Sequence, residues 1–162
     1  MRMLGIDPGL EGSIAWRGDD ADGVFGVSDI PTMGEGTKRR VNGAVLADWL
    51  RKNEPHLGYS GAYFELVGAM PKQGVSSTFR FGEATGTIAG VLQTLGIPII
   101  RITPQVWKKH YGLQGQSKEQ SRAFATQLFP ECASALARKK DHQRAEALLI
   151  AAYGLWHQKR GG

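Results

Sequence analysis

The segment MLGIDPGLEGSIAW, which starts at Met3, constrains this chain more than any other. Met3–Ile6 reads as a buried strand. It stops at a carboxylate, Asp7, and Pro8-Gly9 then turns the chain at once. Gly12–Trp16 is a second short apolar run. After turn chemistry between residues 17 and 23 a third follows, Val24–Ile30. Three short strands joined by tight turns predict an antiparallel meander. The cluster Asp19, Asp20 and Asp22 fits those turns better than a metal site. A carboxylate at the end of a buried strand needs turn donors, a charge partner or a metal ion. Asp7 is therefore either an Asx-turn acceptor or part of a site.

The rest of the chain extends the sheet through helices. Residues 31–40 form a polar, Gly-containing loop. Val41, Val45, Trp49 and Ala44, Leu46, Leu50 recur at helical spacing as far as Asn53. Gly61–Val67 is a fourth strand carrying Glu65 among apolar neighbours. Residues 70–78 form a loop, and a helix runs from about Thr78 to Leu95. Its Gly82, Gly86 and Gly90 share one face, which predicts close packing against a neighbouring helix or the sheet. Ile97–Ile102 is a fifth strand. Thr103-Pro104 opens a helix toward His110. Ser117 with Gln120 makes a capping box for a helix to Phe129, and a last helix spans Asp141 to His157. The predicted class is α/β: one domain over 1–162, with a mixed five-stranded sheet of three antiparallel strands and two crossover strands, flanked by helices.

At 162 residues the chain can bury a full core. One cysteine, Cys132, excludes an internal disulfide and fits a reducing, cytoplasmic setting. With four scattered histidines it gives no zinc-site spacing. The longest apolar run, Ala147–Trp156, is half of what a membrane span needs, so no membrane partner is expected. The chain has 20 Lys+Arg against 15 Asp+Glu, clustered at Lys38-Arg39-Arg40, Lys108-Lys109, Arg138-Lys139-Lys140 and Lys159-Arg160. A polyanionic partner explains that excess, and so does an ordinary solvated surface.

Four acids sit where structure alone would not choose them: Asp7, Glu65, Asp141 and Glu146. Each has a bland reading. Glu65 fits the exposed side of an edge strand, Asp141 a plain N-cap, and Glu146 a solvated helix position. If strands one and four are neighbours, Asp7 and Glu65 converge at one end of the sheet, with the acids of the last helix above them. Clustered carboxylates with few histidines favour Mg²⁺ or Mn²⁺ over zinc. A pair of such ions about 4 Å apart suits phosphodiester cleavage.

The motifs GIDPGLEGSIA, FELV, STFRFGEATGTIAGVL, RITPQVWKK, SKEQ and DHQRAEALLIAAYG, in that order, resemble the RuvC-type Holliday junction resolvases, in particular their phage-like branch. The resemblance runs from residue 3 to about 157. It implies a ribonuclease H-like fold and a homodimer. It also implies two Mg²⁺ ions per active site, with Mn²⁺ able to substitute. The implied activity is paired nicking of branched, four-way DNA in the cytoplasm of a bacterial or phage-infected cell. It places the catalytic and metal-binding acids on Asp7, Glu65 and Glu146. The fourth position falls on Asp141 or His142. Helical phase puts His142 about 40° from Glu146 and Asp141 about 140° away. Carboxylate chemistry favours Asp141, and Gln143 stands where some relatives carry the ligand. Asp141 is preferred, with His142 as alternative metal ligand or partner. The resemblance further assigns phosphate contacts to Lys108 and Lys118, the latter beside the anion-attracting helix start at Ser117. DNA contacts fall on Lys72, Ser76, Thr78 and Arg80, with Met70 and Phe79 as apolar groups that reach a junction or fill the core.

Two other functions compete. Actin-like ATPases and sugar kinases share the aspartate-glycine turn but need two such domains. A non-catalytic junction or duplex binder would hold DNA better without its acids, since negative charge weakens DNA binding unless metal offsets it.

Overall fold

The computed structural model describes residues 1–19, 24–54, 58–68 and 74–161. The first three strands are β1 (Arg2–Asp7), β2 (Ser13–Gly18) and β3 (Phe25–Asp29). A two-stranded ribbon follows, β4 (Thr32–Met33) with β5 (Arg40–Val41), and then helix α1 (Gly43–Lys52). Strand β6 (Gly61–Glu65), helix α2 (Val75–Thr94) and strand β7 (Ile99–Ile102) come next. The chain ends with α3 (Pro104–His110), α4 (Lys118–Leu128) and α5 (His142–Lys159). The main sheet has the order β3-β2-β1-β6-β7. β1–β2 and β2–β3 pair antiparallel, while β1–β6 and β6–β7 pair parallel, as the meander and the helical crossovers predicted.

β1 is central and covered on both faces. Leu4 and Ile6 point into a core with Leu46, Leu50, Phe64, Ile88 and Leu92, beneath α1 and α2. Met3 points the other way, into a core with Tyr63, Trp107, Leu136, Leu148 and Leu149, beneath α5. Alternation along the strand puts Asp7 on the α5 side. Two glycines let α5 lie directly on the sheet. A Cβ on Gly5 would fall 2.1 Å from the Ala147 carbonyl oxygen, and one on Gly154 would fall 2.5 Å from the Tyr63 ring. That close seat fixes the height of the first turns of α5 above the end of β1.

Several expectations change. The polar loop of residues 31–40 contains the β4–β5 ribbon and a 3₁₀ turn at Gly36–Lys38, too short to leave a period in the sequence. β6 ends at Glu65, and α2 begins at Val75, three residues earlier than expected, so Ser76 lies on a helix rather than in a loop. Among the described residues a Cβ on Gly82, Gly86 or Gly90 would meet no atom within 4 Å, so the expected close packing at these glycines is not formed there. The shared face was legible, but whether it is covered was not. Among the described residues no helix is long and apolar enough to cross a membrane.

Candidate active site

Asp7 closes β1 and pairs across the sheet with Ser13, which in turn pairs with Asp29. On the other side Ile6 pairs with Phe64, so Glu65 stands level with Asp7. The turn between β1 and β2 is tight. Gly9 has φ of 124°, and a Cβ on Gly12 would meet the Asp7 carbonyl oxygen at 2.1 Å. These glycines fold the chain back under Asp7 without covering its carboxylate.

Glu65 is 6% exposed. β6 lies between β1 and β7, so the edge-strand reading of Glu65 fails. Its Oε1 accepts a 2.8 Å hydrogen bond from Trp107 Nε1, at the centre of α3. Glu146, also 6% exposed, projects from the second turn of α5, which rules out a solvated helix position. Lys108 Nζ lies 3.3 Å from Glu146 Oε1, yet that oxygen accepts no hydrogen bond. The ammonium is close enough for attraction but is not aimed at the lone pair.

Asp7 and Glu65 both carry a raised cost of ionisation. Burial pushes the Asp7 carboxyl well above its usual range, and the charges of Glu65 and Glu146 push it further; Lys118 and Lys108 pull it partly back. Burial also raises Glu65, and the Trp107 hydrogen bond offsets part of that, while Glu146 adds to it. Lys118 opens α4 behind the capping box predicted at Ser117 and Gln120, whose two hydrogen bonds are both formed. Asp7, Glu65, Glu146, Lys108 and Lys118 therefore share one electrostatic neighbourhood.

Asp141 does not join them. It is 2% exposed and bound on all sides. Arg138 donates to it through its backbone N at 2.8 Å, Nη2 at 2.7 Å and Nε at 3.0 Å. Arg144 Nε lies 3.7 Å away, and Arg144 binds both oxygens of Asp29 at 2.6 and 2.8 Å. Burial works against the Asp141 charge, but the Arg138 hydrogen bonds and the two guanidinium charges win and hold its pKa below the usual value. Asp141, the preferred fourth ligand, thus has its lone pairs engaged by Arg138. It makes no side-chain N-cap bond for α5 either. His142 opens α5, one turn before Glu146. Its Nδ1 is 3.4 Å from the Lys139 carbonyl, and its buried Nε2 has no partner. His142 and Gln143 line a cleft of about 300 Å³ with Glu11, Arg39, Arg138 and Lys140.

The predicted DNA contacts separate. Ser76, Thr78 and Arg80 occupy the first turns of α2, where Arg80 Nε lies 3.4 Å from the Ser76 carbonyl. Phe79 is 72% exposed and so belongs to the surface, not the core; Phe81 instead packs beside Gly9. Lys72 and Met70 lie outside the described residues. Asp19 pairs with the N-terminal ammonium at 2.6 Å, and Asp20 and Asp22 lie outside the described residues.

Sequence reasoning missed Trp107, Ser13 and the arginine pair. The i,i+3 spacing of Arg138, Asp141 and Arg144 was a usable signal for the last. Among the described residues no three His, Cys, Asp or Glu side chains lie close enough together to enclose an ion. The chemistry of the donors nevertheless fits a divalent cation. They are all oxygen, two carry a burial cost that added positive charge would relieve, and Glu146 Oε1 has only a misaligned ammonium beside it.

No protein-family model matches the chain. In sequence it is 36% identical over 94 residues to the chloroplastic Holliday junction resolvase MOC1 of Chlamydomonas reinhardtii, a stretch covering 57% of this chain and 11% of that protein. The chain therefore spans about a tenth of the length of that relative. In structure it is similar to T. thermophilus RuvC in complex with a Holliday junction substrate, with a TM-score of 0.58 at 17% identity over 99% of this chain and 97% of that one. A second Thermus thermophilus RuvC structure gives 0.54 at 18% identity, covering 99% and 97%. The fowlpox virus Holliday junction resolvase gives 0.51 at 14% identity, covering 99% of each. The mixed five-stranded sheet, the placement of α5 against β1 and these likenesses agree: the chain is built on the ribonuclease H-like fold of the RuvC resolvases.

Proposed function

We propose that the chain is an endonuclease that resolves four-way DNA junctions by divalent-cation-dependent hydrolysis, acting as one nuclease domain in the cytoplasm. The observation that carries this is the convergence of Asp7, Glu65 and Glu146 from β1, β6 and α5, with Lys108 and Lys118 in the same electrostatic neighbourhood. Buried like charges left only partly compensated in a RuvC-type fold are a poor structural device and a good site for cations. Asp7, Glu65 and Glu146 would hold Mg²⁺ or Mn²⁺, with His142 Nε2 as the fourth group in place of Asp141. Two such ions supply activation of water and stabilisation of the leaving oxygen.

The chain's own residues do the remaining work. Trp107 holds the Glu65 carboxylate by one oxygen and leaves the other toward the site. Lys108 and Lys118, the latter at the N-terminus of α4, draw in the scissile phosphate. Arg80, Ser76 and Thr78 on α2 contact the strand beyond it, and exposed Phe79 offers a surface on which an unpaired base can stack.

Two opposed cuts need two sites. Val75, Phe79, Gly82, Gly86 and Gly90 fall along one side of α2, with two exposed apolar side chains followed by three open glycines. A second copy of α2 fits that ridge and groove, giving a homodimer. Gly86→Leu leaves the monomer intact, because its Cβ meets open space, and is expected to shift the dimer to monomer on size exclusion and to abolish paired nicking.

The deciding experiment compares four-way, flap and linear duplex DNA in Mg²⁺. Symmetric nicks confined to the junction are expected. Equal cutting of linear duplex would overturn the junction reading. Tight binding without cutting in either cation would favour the non-catalytic binder.

A further inference from the structure

Four buried side-chain polar atoms among the described residues have no hydrogen-bond partner: Ser13 Oγ, Thr85 Oγ1, His142 Nε2 and Glu146 Oε1. Glu146 belongs to the acidic group, and His142 precedes it by one turn of α5. Ser13 is 1% exposed and stands beside Asp7 in the sheet. A buried hydroxyl without a partner has lost its water and gained nothing in return, so its persistence calls for a physical reason.

The register supplies one. Ser13 is directly opposite Asp7 on one side and Asp29 on the other, and all three point to the α5 face. Directly opposed residues in an antiparallel pair have Cβ atoms about 4.5–5.5 Å apart, within reach of a serine–carboxylate hydrogen bond after one χ1 rotation. Of its two flanking carboxylates, Asp29 has both oxygens bound by Arg144. The Asp7 carboxyl instead carries a burial cost and feels the charges of Glu65 and Glu146. Asp29 keeps free lone pairs, but Arg144 already orients it, so Asp7 is the flanking carboxylate left for the hydroxyl to hold.

Resting on the nuclease reading above, we infer that Ser13 is a positioning residue of the acidic site. In the cation-loaded protein its Oγ donates to the Asp7 carboxylate and fixes the rotamer in which Asp7 faces Glu65 and Glu146. α5, seated on Gly5 just below, closes the hydroxyl off from water.

The test uses the full chain with Ser13→Ala and Ser13→Thr. Mn²⁺ binding is measured by calorimetry without DNA. Junction cleavage is measured in single turnover across a Mg²⁺ titration, and junction binding without divalent cation. Ser13→Ala removes only an unpartnered oxygen, so it should melt at or above the wild-type temperature and bind junctions equally. Its Mn²⁺ affinity and cleavage rate should each fall about tenfold, the scale of a lost partner behind a metal ligand. Ser13→Thr keeps the hydroxyl and should cut within about threefold of wild type. Ser13→Ala with wild-type Mn²⁺ affinity and rate overturns the inference, as does a folded Ser13→Thr no better than Ser13→Ala. A wild-type protein that neither binds Mn²⁺ nor cuts any junction overturns the nuclease reading itself.

Discussion

Two sets of acids lie at the same end of the sheet and are treated in opposite ways. Asp29 and Asp141 are bound by guanidinium groups, Asp29 by both nitrogens of the Arg144 fork and Asp141 by Arg138. Both have pKa values held below the ordinary range, Asp29 chiefly by its hydrogen bonds from Arg144. Asp7 and Glu65 are raised, and Glu146 has an oxygen that accepts nothing. Asp141 and Glu146 start the same helix, and both are buried. Burial of an acid therefore does not mark a site. What marks it is burial with the charge only partly compensated, because then the fold carries a cost that a ligand removes.

The largest effect that separates the two sets is on the reaction. Asp7→Asn should lower junction cleavage by about a thousandfold, the several kcal/mol that a lost contact to a catalytic cation is worth. Binding without divalent cation should be intact or tighter. The melting temperature should not fall, since the substitution removes a destabilised charge. A wild-type rate in Asp7→Asn, in a single-turnover gel assay, would break the contrast at its root. Trp107→Phe comes next. It keeps an aromatic ring in the core and removes the Trp107 hydrogen bond to Glu65, so cleavage should fall about tenfold at little cost in stability. Unchanged cleavage would show that Glu65 is oriented by something else.

Asp141→Asn should behave in the reverse way. It leaves Arg138 and Arg144 without their shared partner and should lower the melting temperature by about 3–6 °C, while cleavage stays within about threefold. A loss of cutting comparable with Asp7→Asn, with the melting temperature unmoved, would return Asp141 to the ligand set.

How much of this was readable differs by element. The meander and the helical crossovers followed from turn chemistry and short apolar runs, all local signals, whereas the adjacency of β1 and β6 is a long-range pairing that no local signal records. Asp7 and Glu65 stood out because a carboxylate inside an apolar run has few cheap explanations. The fate of Asp141 depended on which side its neighbours' long side chains took, and helical phase is ambiguous at a helix start. The α2 glycines announced a shared face, yet a face pattern is the same whether another element covers it or not. Trp107 and Ser13 matter through contacts with residues far away in sequence or across a strand pair, and no local period records those.

The pH dependence of stability, measured without divalent cation, is the smallest effect and separates the two sets by sign. Asp7 and Glu65 have folded pKa values above their unfolded ones, near 3.8 and 4.5. The native protein holds protons there that the unfolded chain has released, so their contribution falls as pH rises from those values through the folded ones. Asp29 and Asp141 have depressed folded values. Their stabilisation is present above about 3.8 and is lost as pH falls through the folded pKa. Melting scans from acid to neutral pH should therefore show two limbs. Asp7→Asn should flatten only the limb above the unfolded pKa, and Asp141→Asn only the limb below it. If Asp7→Asn left the upper limb unchanged, its carboxylate would carry no burial cost, and the distinction between the two sets of acids would rest on geometry alone.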